Sequence, residues 1–178
     1  MNGDPTEQKL QALESLYADN ASTVYRFALR ISGDPVEAED LAAEAFAQAV
    51  CRPEAFKGES SPKTWLCGIV LNRYRMLRRR TRTRVELEET VPSPAQTISE
   101  DGIDLARAIS GLPDPLREAF LLVKGEGFTH AEAAKAMRLP VGTVYSRVHS
   151  AVQRVRKALA PESVPETLAK EVSYDREL

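Results

Sequence analysis

The stretch Thr129–Leu159, THAEAAKAMRLPVGTVYSRVHSAVQRVRKAL, decides the fold of this chain. Thr129, followed three residues later by Glu132, has the pattern of a capping box that starts a helix. Leu139-Pro140 ends that helix, because proline disrupts a continuing helix. From about Gly142 to Leu159 the apolar residues recur at helical spacing. A short capped helix, a tight turn and a longer amphipathic helix together predict a helix-turn-helix.

The second helix of this motif presents polar side chains near its N-terminal end, which is the end that enters the DNA major groove in such motifs. Arg147 suits guanine or phosphate, and Thr143 and Ser146 can donate to phosphate. An ordinary helical hairpin with a solvated face is the alternative, but the small residues of the first helix and the excess of bases favour DNA. The candidate contact residues are Gly142, Thr143, Tyr145, Ser146, Arg147, His149, Ser150 and Arg154.

Composition excludes several classes of protein. The 178 residues carry a net charge of -2 and are 43% hydrophobic, which suits one ordinary domain or two small ones. Cys51 and Cys67 form no C-x-x-C pair, and with two histidines no zinc-ligand set is visible. No apolar run reaches the ~18 residues of a membrane span. The polar N-terminus lacks the pattern of a signal peptide, so we expect a cytoplasmic protein without membrane insertion.

Helix signals extend over most of the chain, so we predict an all-α fold. Asp34-Pro35 and Ser61-Pro62 each combine a capping residue with proline at the first helical position. Asp114 is predicted to cap a further helix that Pro115 starts. Helical spacing of apolar residues is lost over residues 83–103, which predicts two small helical domains joined by a flexible linker. The predicted ranges are residues 7–82 and 104–160 for the domains, 83–103 for the linker, and 161–178 for an acidic tail.

The helix after Ser61-Pro62 is rich in arginine. At helical spacing Arg75, Arg78, Arg79 and Arg82 share one face. A charge run is often only a solvated surface. Like charges stacked at this spacing are nevertheless unfavourable on an isolated helix, and arginine is the side chain that suits phosphate. We therefore interpret this face as a nucleic-acid surface.

The helix and the loop before the arginine face have a different character. The helix is acidic, and DNA would repel it, so it should face solvent or a basic protein. The loop Phe56–Ser61, followed by Trp65, has the aromatic and polar groups that could hold an unstacked base. Phe56 and Trp65 could equally be core residues. The acidic residues are Asp34, Glu37, Glu39, Asp40 and Glu44.

In combination these features resemble the sigma-70 family of bacterial transcription initiation factors, in its extracytoplasmic-function (ECF) subgroup. The first domain is similar to region 2, through LYADNASTVYRFALRISGDPVEAEDLAAEAF and FKGESSPKTWLCGIVLNRYRMLRRR. The second domain is similar to region 4, through AISGLPDPLREAFLLVKGEGFTHAEAAKAMRLPVGTVYSRVHSAVQRVRKAL. The strings A-E-D-L, T-W-L-x-x-I and P-V-G-T-V-x-S-R are specific in that order and spacing.

The resemblance implies roles and partners. The partners would be core RNA polymerase, through its β′ coiled coil and β flap, and promoter DNA, with an anti-sigma factor as a further candidate. The final helix would contact the −35 element through the eight residues given above. The residues implied in docking on the β′ coiled coil are Glu39, Asp40, Leu41, Glu44 and Phe46. Those implied at the −10 element are Phe56, Lys57, Gly58, Glu59, Ser60, Ser61, Trp65, Asn72, Arg75, Arg78, Arg79 and Arg82.

Some positions depart from the family pattern. Ala43 stands where relatives often have glutamine, and Met76 stands where an acidic residue is common. Tyr145 and Ser150 occupy positions of the final helix that are frequently basic. Two phosphate or base contacts typical of relatives are therefore missing, and the resemblance does not fix the −35 sequence.

Three other classes of function fit the sequence less well. A sigma mimic that binds an anti-sigma factor without binding DNA would not need the arginine face. A conventional helix-turn-helix regulator would leave the first domain unexplained. An enzyme is the least favoured class, because no nucleophile–base set, phosphate-binding glycine loop or metal cluster is visible, and we predict no cofactor. The sequence therefore predicts an alternative sigma factor that directs polymerase to promoters and aids melting.

Overall fold

The computed structural model describes residues 5–85 and 100–159, and in these ranges the chain forms seven α-helices and no strand. The all-α prediction is confirmed for this part of the chain. A 3-10 turn at Pro53–Ala55 and a π-helical turn at Leu121–Gly125 complete the regular structure. The helices are α1 Pro5–Ser32, α2 Pro35–Cys51, α3 Pro62–Val85, α4 Glu100–Ser110, α5 Asp114–Phe120, α6 His130–Met137 and α7 Val141–Leu159.

Helices α3 and α4 reach into the segment predicted as a linker. α3 continues to Val85 and α4 begins at Glu100, so both ends of the range 83–103 are helical. The middle of the predicted linker, the acidic tail and the side chain of Arg82 lie outside the described residues.

Local capping explains where α2 and α3 begin. The Asp34 carboxylate accepts hydrogen bonds from the backbone N–H groups of Val36 and Glu37 at 2.8 and 2.9 Å. The Ser61 hydroxyl accepts from the N–H of Thr64 at 3.1 Å. Each cap satisfies N–H groups that lack a partner in the first helical turn. Both predicted helix starts are therefore confirmed.

The second domain contains one confirmed and one incorrect cap. The capping box at Thr129 is present, because the Thr129 hydroxyl accepts from the N–H of Glu132 while the Glu132 carboxylate accepts from the N–H of Thr129. The prediction that Asp114 caps a helix starting at Pro115 is wrong. The helix begins at Asp114 itself and Pro113 occupies the cap position. The Asp114 carboxylate instead pairs with Arg117, at 2.9 Å.

Each domain buries the apolar side of its helices. In the first domain α1, α2 and α3 pack together around buried residues such as Phe27, Leu41 and Leu66. In the second domain α4 and α5 pack on α7, which buries Val144 and Val148 in the predicted apolar stripe. Helical spacing of the apolar residues is thus sufficient to orient each helix toward its neighbours.

The two domains lie against each other and share one continuous hydrophobic core. Helix α6 of the second domain packs on α3 of the first. At the crossing, a Cβ atom built on Gly68 would lie 3.1 Å from the carbonyl oxygen of Ala136. That distance is shorter than ordinary van der Waals contact, so the absence of a side chain at Gly68 permits the close approach.

Candidate nucleic-acid interface

The acidic face of α2 is partly open to solvent. Glu39 and Asp40 are exposed, whereas Leu41 is buried with 1% of its surface accessible. Phe46 is half-buried and packs against the ring of Tyr17, with ring centroids 4.8 Å apart. The carboxylates of Glu39 and Asp40 are therefore accessible to a protein partner, whereas Leu41 contributes to the core.

Two other acidic residues of α2 pair with arginines of α3. Glu44 forms an ion pair with Arg73, and Glu37 lies 3.7 Å from Arg78. The guanidinium of Arg78 also lies over the ring of Tyr74, 5.0 Å from its centroid. The acidic helix therefore faces a basic surface of its own chain as well as solvent, and the arginine face is partly neutralised within the first domain.

The loop predicted to hold a base surrounds an aromatic pair. The rings of Phe56 and Trp65 lie with centroids 5.1 Å apart and planes tilted by 42°. Lys57, Gly58 and Glu59 are exposed between Phe56 and the start of α3, and Gly58 adopts a positive φ of 69°. Neither aromatic ring is fully buried. Both rings therefore keep some accessible surface, which the alternative of two core residues does not require.

A cleft of about 340 Å³ lies beside this loop, between α3 and α6. Ser60, Trp65 and Asn72, all predicted at the nucleic-acid surface, line one side. Lys135 and Arg138, which flank the end of α6, line the other side. The structure thus brings predicted base-binding residues together but places the second domain over them.

Lys135 also binds the loop directly. Its ammonium group donates a hydrogen bond to the backbone carbonyl of Glu59. The residue was not singled out from the sequence, because its partner lies 76 residues away along the chain.

A largely buried ion pair between Arg75 and Glu118 joins the two domains at the arginine face. Arg75 donates from Nε and Nη2 to the two carboxylate oxygens of Glu118, at 3.0 and 2.5 Å. Glu118 is 4% exposed. This two-bond geometry is the strongest form of arginine–carboxylate pairing. Arg75 was predicted to contact nucleic acid, and in this arrangement its guanidinium is occupied by the second domain.

A second ionic contact links the two domains through Glu126. The Glu126 side chain, 1% exposed, accepts from Arg30 at 2.8 Å and from Arg26 at 3.3 Å. Arg30 also donates to the carbonyl of Gly125 at 2.5 Å. Two buried carboxylates of the second domain therefore bind arginines on two helices of the first.

Helix α7 exposes most of the residues predicted to contact DNA. Thr143 and Arg147 are half-buried. The Ser146 hydroxyl donates to the Thr143 carbonyl at 2.9 Å, so its remaining capacity is as an acceptor. The exposed members of the predicted set are Gly142, Tyr145, Ser146, His149, Ser150 and Arg154.

A stacked pair of rings joins the two helices of this motif. His130, the first residue of α6, lies parallel to Tyr145 of α7, with ring centroids 3.8 Å apart and planes within 5°. Tyr145 keeps 57% of its surface exposed. His130 was not singled out from the sequence, where a lone histidine after a capping threonine carries no distinguishing signal.

The two cysteines offer no paired redox site. Both are free, Cys51 exposed and Cys67 buried. Burial raises the pKa of the Cys67 thiol to about 12, and the nearby Glu126 carboxylate adds to the increase. The thiol of Cys67 is therefore protonated at neutral pH and is a poor nucleophile.

Two kinds of feature are absent from residues 5–85 and 100–159. No group of three or more histidine, cysteine, aspartate or glutamate side chains in these ranges is placed to hold a metal ion. No helix there is both long and apolar enough to cross a lipid bilayer.

Comparison with known families identifies both domains. The model for Sigma-70 region 2 matches residues 16–84, and the model for Sigma-70 region 4 matches residues 103–158. A relative described as a probable RNA polymerase sigma-C factor, from Mycobacterium bovis, is 33% identical over 165 residues, which cover 89% of this chain and 86% of the relative. The chain belongs to the ECF sigma factors of the sigma-70 family. Such factors direct RNA polymerase to promoters and are not enzymes.

Two other similar proteins agree with this assignment. The ECF sigma factor SigE of Mycolicibacterium smegmatis is 34% identical over 166 residues, but this chain spans only 62% of its length. Among solved structures, the sigma factor RpoE of Bartonella quintana, in complex with the anti-sigma factor NepR, matches with a TM-score of 0.63 and 28% identity. The match covers 89% of this chain and 98% of that one.

Proposed function

We propose that this sigma factor binds core polymerase and promoter DNA through three separate surfaces. The exposed carboxylates of α2 dock on the β′ coiled coil of core polymerase, the cleft beside Trp65 binds an unpaired base of the −10 element, and α7 contacts the −35 element. The observation that carries the proposal is the exposed polar side of α7, which lies opposite its buried stripe in the segment matched by the region 4 model. A helix with such a face at its N-terminal half suits the major groove.

The docking surface centres on Glu39 and Asp40. Both are exposed, and a basic partner helix would gain electrostatic attraction from them. Glu44 would have to exchange its Arg73 partner for a group of the polymerase. Leu41 supports the surface from within the core and makes no direct contact.

The −10 surface is closed in the present arrangement. Helix α6 lines the cleft with Lys135, and Glu118 occupies Arg75. A base can enter only after α6 moves away from α3. Asp40 lies on a face that this movement does not need to uncover. We therefore propose that core polymerase binds first and that promoter DNA binds after the two domains have separated.

The second domain has two partners in this scheme. Its α7 face contacts duplex DNA, and the β flap of the polymerase holds the domain. The domain thereby lies over the −35 element, upstream of the −10 element that the first domain binds. An anti-sigma factor is a third class of partner. The complex of the similar Bartonella sigma factor with NepR supports it, because that protein is 28% identical to this chain over a match that covers 89% of this chain.

Run-off transcription tests the proposal most directly. The full chain is added to core polymerase on a genomic fragment library, and the 5′ ends of transcripts are mapped. We expect new start sites that share an upstream and a downstream element. A protein that binds an anti-sigma factor but creates no new start site would instead be a sigma mimic.

A charge reversal tests the dock separately. Asp40→Arg should reduce binding to core polymerase, because it places a positive charge before a basic coiled coil. Glu54→Arg is the matched control, since Glu54 is an exposed acid outside α2. If Asp40→Arg and Glu54→Arg bind core polymerase equally well and keep their helical content, the polymerase-binding surface lies elsewhere.

A further inference from the structure

The stacked rings of His130 and Tyr145 are the starting observation. The planes are 3.8 Å apart at their centroids and within 5° of parallel, and the two residues come from different helices of the motif. Stacking covers one face of the Tyr145 ring, whereas 57% of the surface of the residue stays exposed. An aromatic ring is therefore held flat on the surface that α7 presents to DNA.

An exposed tyrosine without such a neighbour would exchange among several side-chain rotamers. Contact with His130 restricts the ring to one orientation, because parallel stacking depends on the relative position of both rings. His130 is itself fixed as the first residue of α6, directly after the Thr129 capping box. The orientation of Tyr145 is thus set by a helix that need not touch the DNA.

The free face of the ring determines which chemistry it can recognise. It is flat and apolar, and it projects from the N-terminal half of α7, between Val144 and Ser146. In the major groove the apolar group that distinguishes one base pair from the others is the C5-methyl of thymine. A restricted aromatic face is complementary to that methyl group.

We propose that Tyr145 contacts a thymine methyl group in the upstream promoter element and that His130 is the positioning residue that makes this contact base-specific. The inference rests on the proposed function, since it assigns α7 to the −35 element. It differs from a phosphate contact, which would strengthen binding equally on every sequence.

The test uses holoenzyme formed from core polymerase and the full chain. Active promoters are selected from a library randomised in the upstream element, with the downstream element fixed from mapped start sites. We expect the unmodified protein to enrich thymine at one upstream position. Tyr145→Ala and His130→Ala should lose the preference at that position, and His130→Phe should retain it, because a phenyl ring can still stack.

A second measurement removes only the methyl group. Replacing the selected thymine by uracil should reduce transcription by about four-fold, the effect of one buried methyl group. The same replacement should leave Tyr145→Ala unchanged. Thermal unfolding checks that each variant is folded, which we expect since neither side chain belongs to the buried core.

The outcomes separate this inference from the function on which it rests. If Tyr145→Ala reduces transcription equally from every upstream sequence, the residue contacts phosphate and not a base, and the inference is overturned. Unchanged selectivity in His130→Ala overturns the positioning role. Promoter-specific starts whose upstream preference includes no thymine that depends on Tyr145 overturn the inference alone, whereas the absence of any upstream preference, or of all promoter-specific starts, overturns the proposed function together with it.

Discussion

Replacing Glu118 by glutamine tests how firmly the two domains are held together. The carboxylate accepts two hydrogen bonds from Arg75, at 3.0 and 2.5 Å. The side chain of Glu118 is 5% exposed and that of Arg75 is 27% exposed. Glutamine keeps the shape and one acceptor oxygen, but it removes the charge and leaves the guanidinium without its carboxylate.

The geometry sets the expected magnitude. Removing one partner of a fully buried ion pair costs about 3–5 kcal/mol. Arg75 reaches solvent in part, and the retained oxygen preserves one hydrogen bond. We therefore expect a loss of about 2–3 kcal/mol, in the range of hydrogen bonds to charged groups. At about 1.4 kcal/mol per factor of ten, the ratio of closed to separated molecules should fall roughly 30- to 150-fold.

Energy transfer between two fluorophores measures this ratio. The first dye is placed on Cys51, which is exposed, and the second on an introduced cysteine, Gln153→Cys, on the exposed side of α7. Cys67 is buried and should remain unlabelled. Glu118→Gln should lower the transfer efficiency, because the labelled domains separate.

Asp104→Asn is the matched control for this substitution. It makes the same change of carboxylate to amide, but its ion pair with Arg107 lies within α4 and is exposed. The control should leave the transfer efficiency at the value of the unmodified protein. The reasoning is refuted if Glu118→Gln, with its helical content intact, also keeps that value.

Three further predictions concern other parts of the structure. Gly68→Ala adds a methyl group 3.1 Å from the Ala136 carbonyl, so it should also lower the transfer efficiency although alanine favours helix α3. Thr129→Ala removes the capping box and should cost about 1 kcal/mol, seen as a fall in the melting temperature of roughly 2–4 °C. Alkylation at about pH 8 should modify Cys51 and spare Cys67, whose pKa of about 12 keeps the thiol protonated; mass spectrometry of the folded protein would show equal labelling if this is incorrect.

Helix starts could be predicted where the interaction is local. The caps at Asp34 and Thr129 join groups two or three residues apart, so the residue types alone identify them. The cap predicted at Asp114 failed for a related reason. Arg117, one turn later, offers the carboxylate a charged partner, and the helix begins one residue earlier than the capping pattern requires.

The interface between the domains could not be predicted in the same way. Arg75 and Glu118 are 43 residues apart, and nothing in either segment shows that they meet. The sequence predicted that Arg75 contacts nucleic acid, and the chemistry that suits arginine to phosphate suits it equally to a distant carboxylate. The stack of His130 on Tyr145 depends on the angle between two helices, which their separate sequences do not determine.

The π-helical turn Leu121–Gly125 constrains the number of residues in this segment more than their identity. Its wider hydrogen bonding, with the N–H of Glu126 donating to the carbonyl of Leu121 at 2.9 Å, accommodates one more residue than an α-helical turn. Deleting a residue there would restore regular α-helical bonds, but it would rotate everything downstream by roughly 100°. Glu126 would then point away from Arg30, and α6 away from the cleft. This turn thus sets the direction of the helix-turn-helix relative to the first domain, and we expect functional variants to lack single-residue insertions or deletions in it.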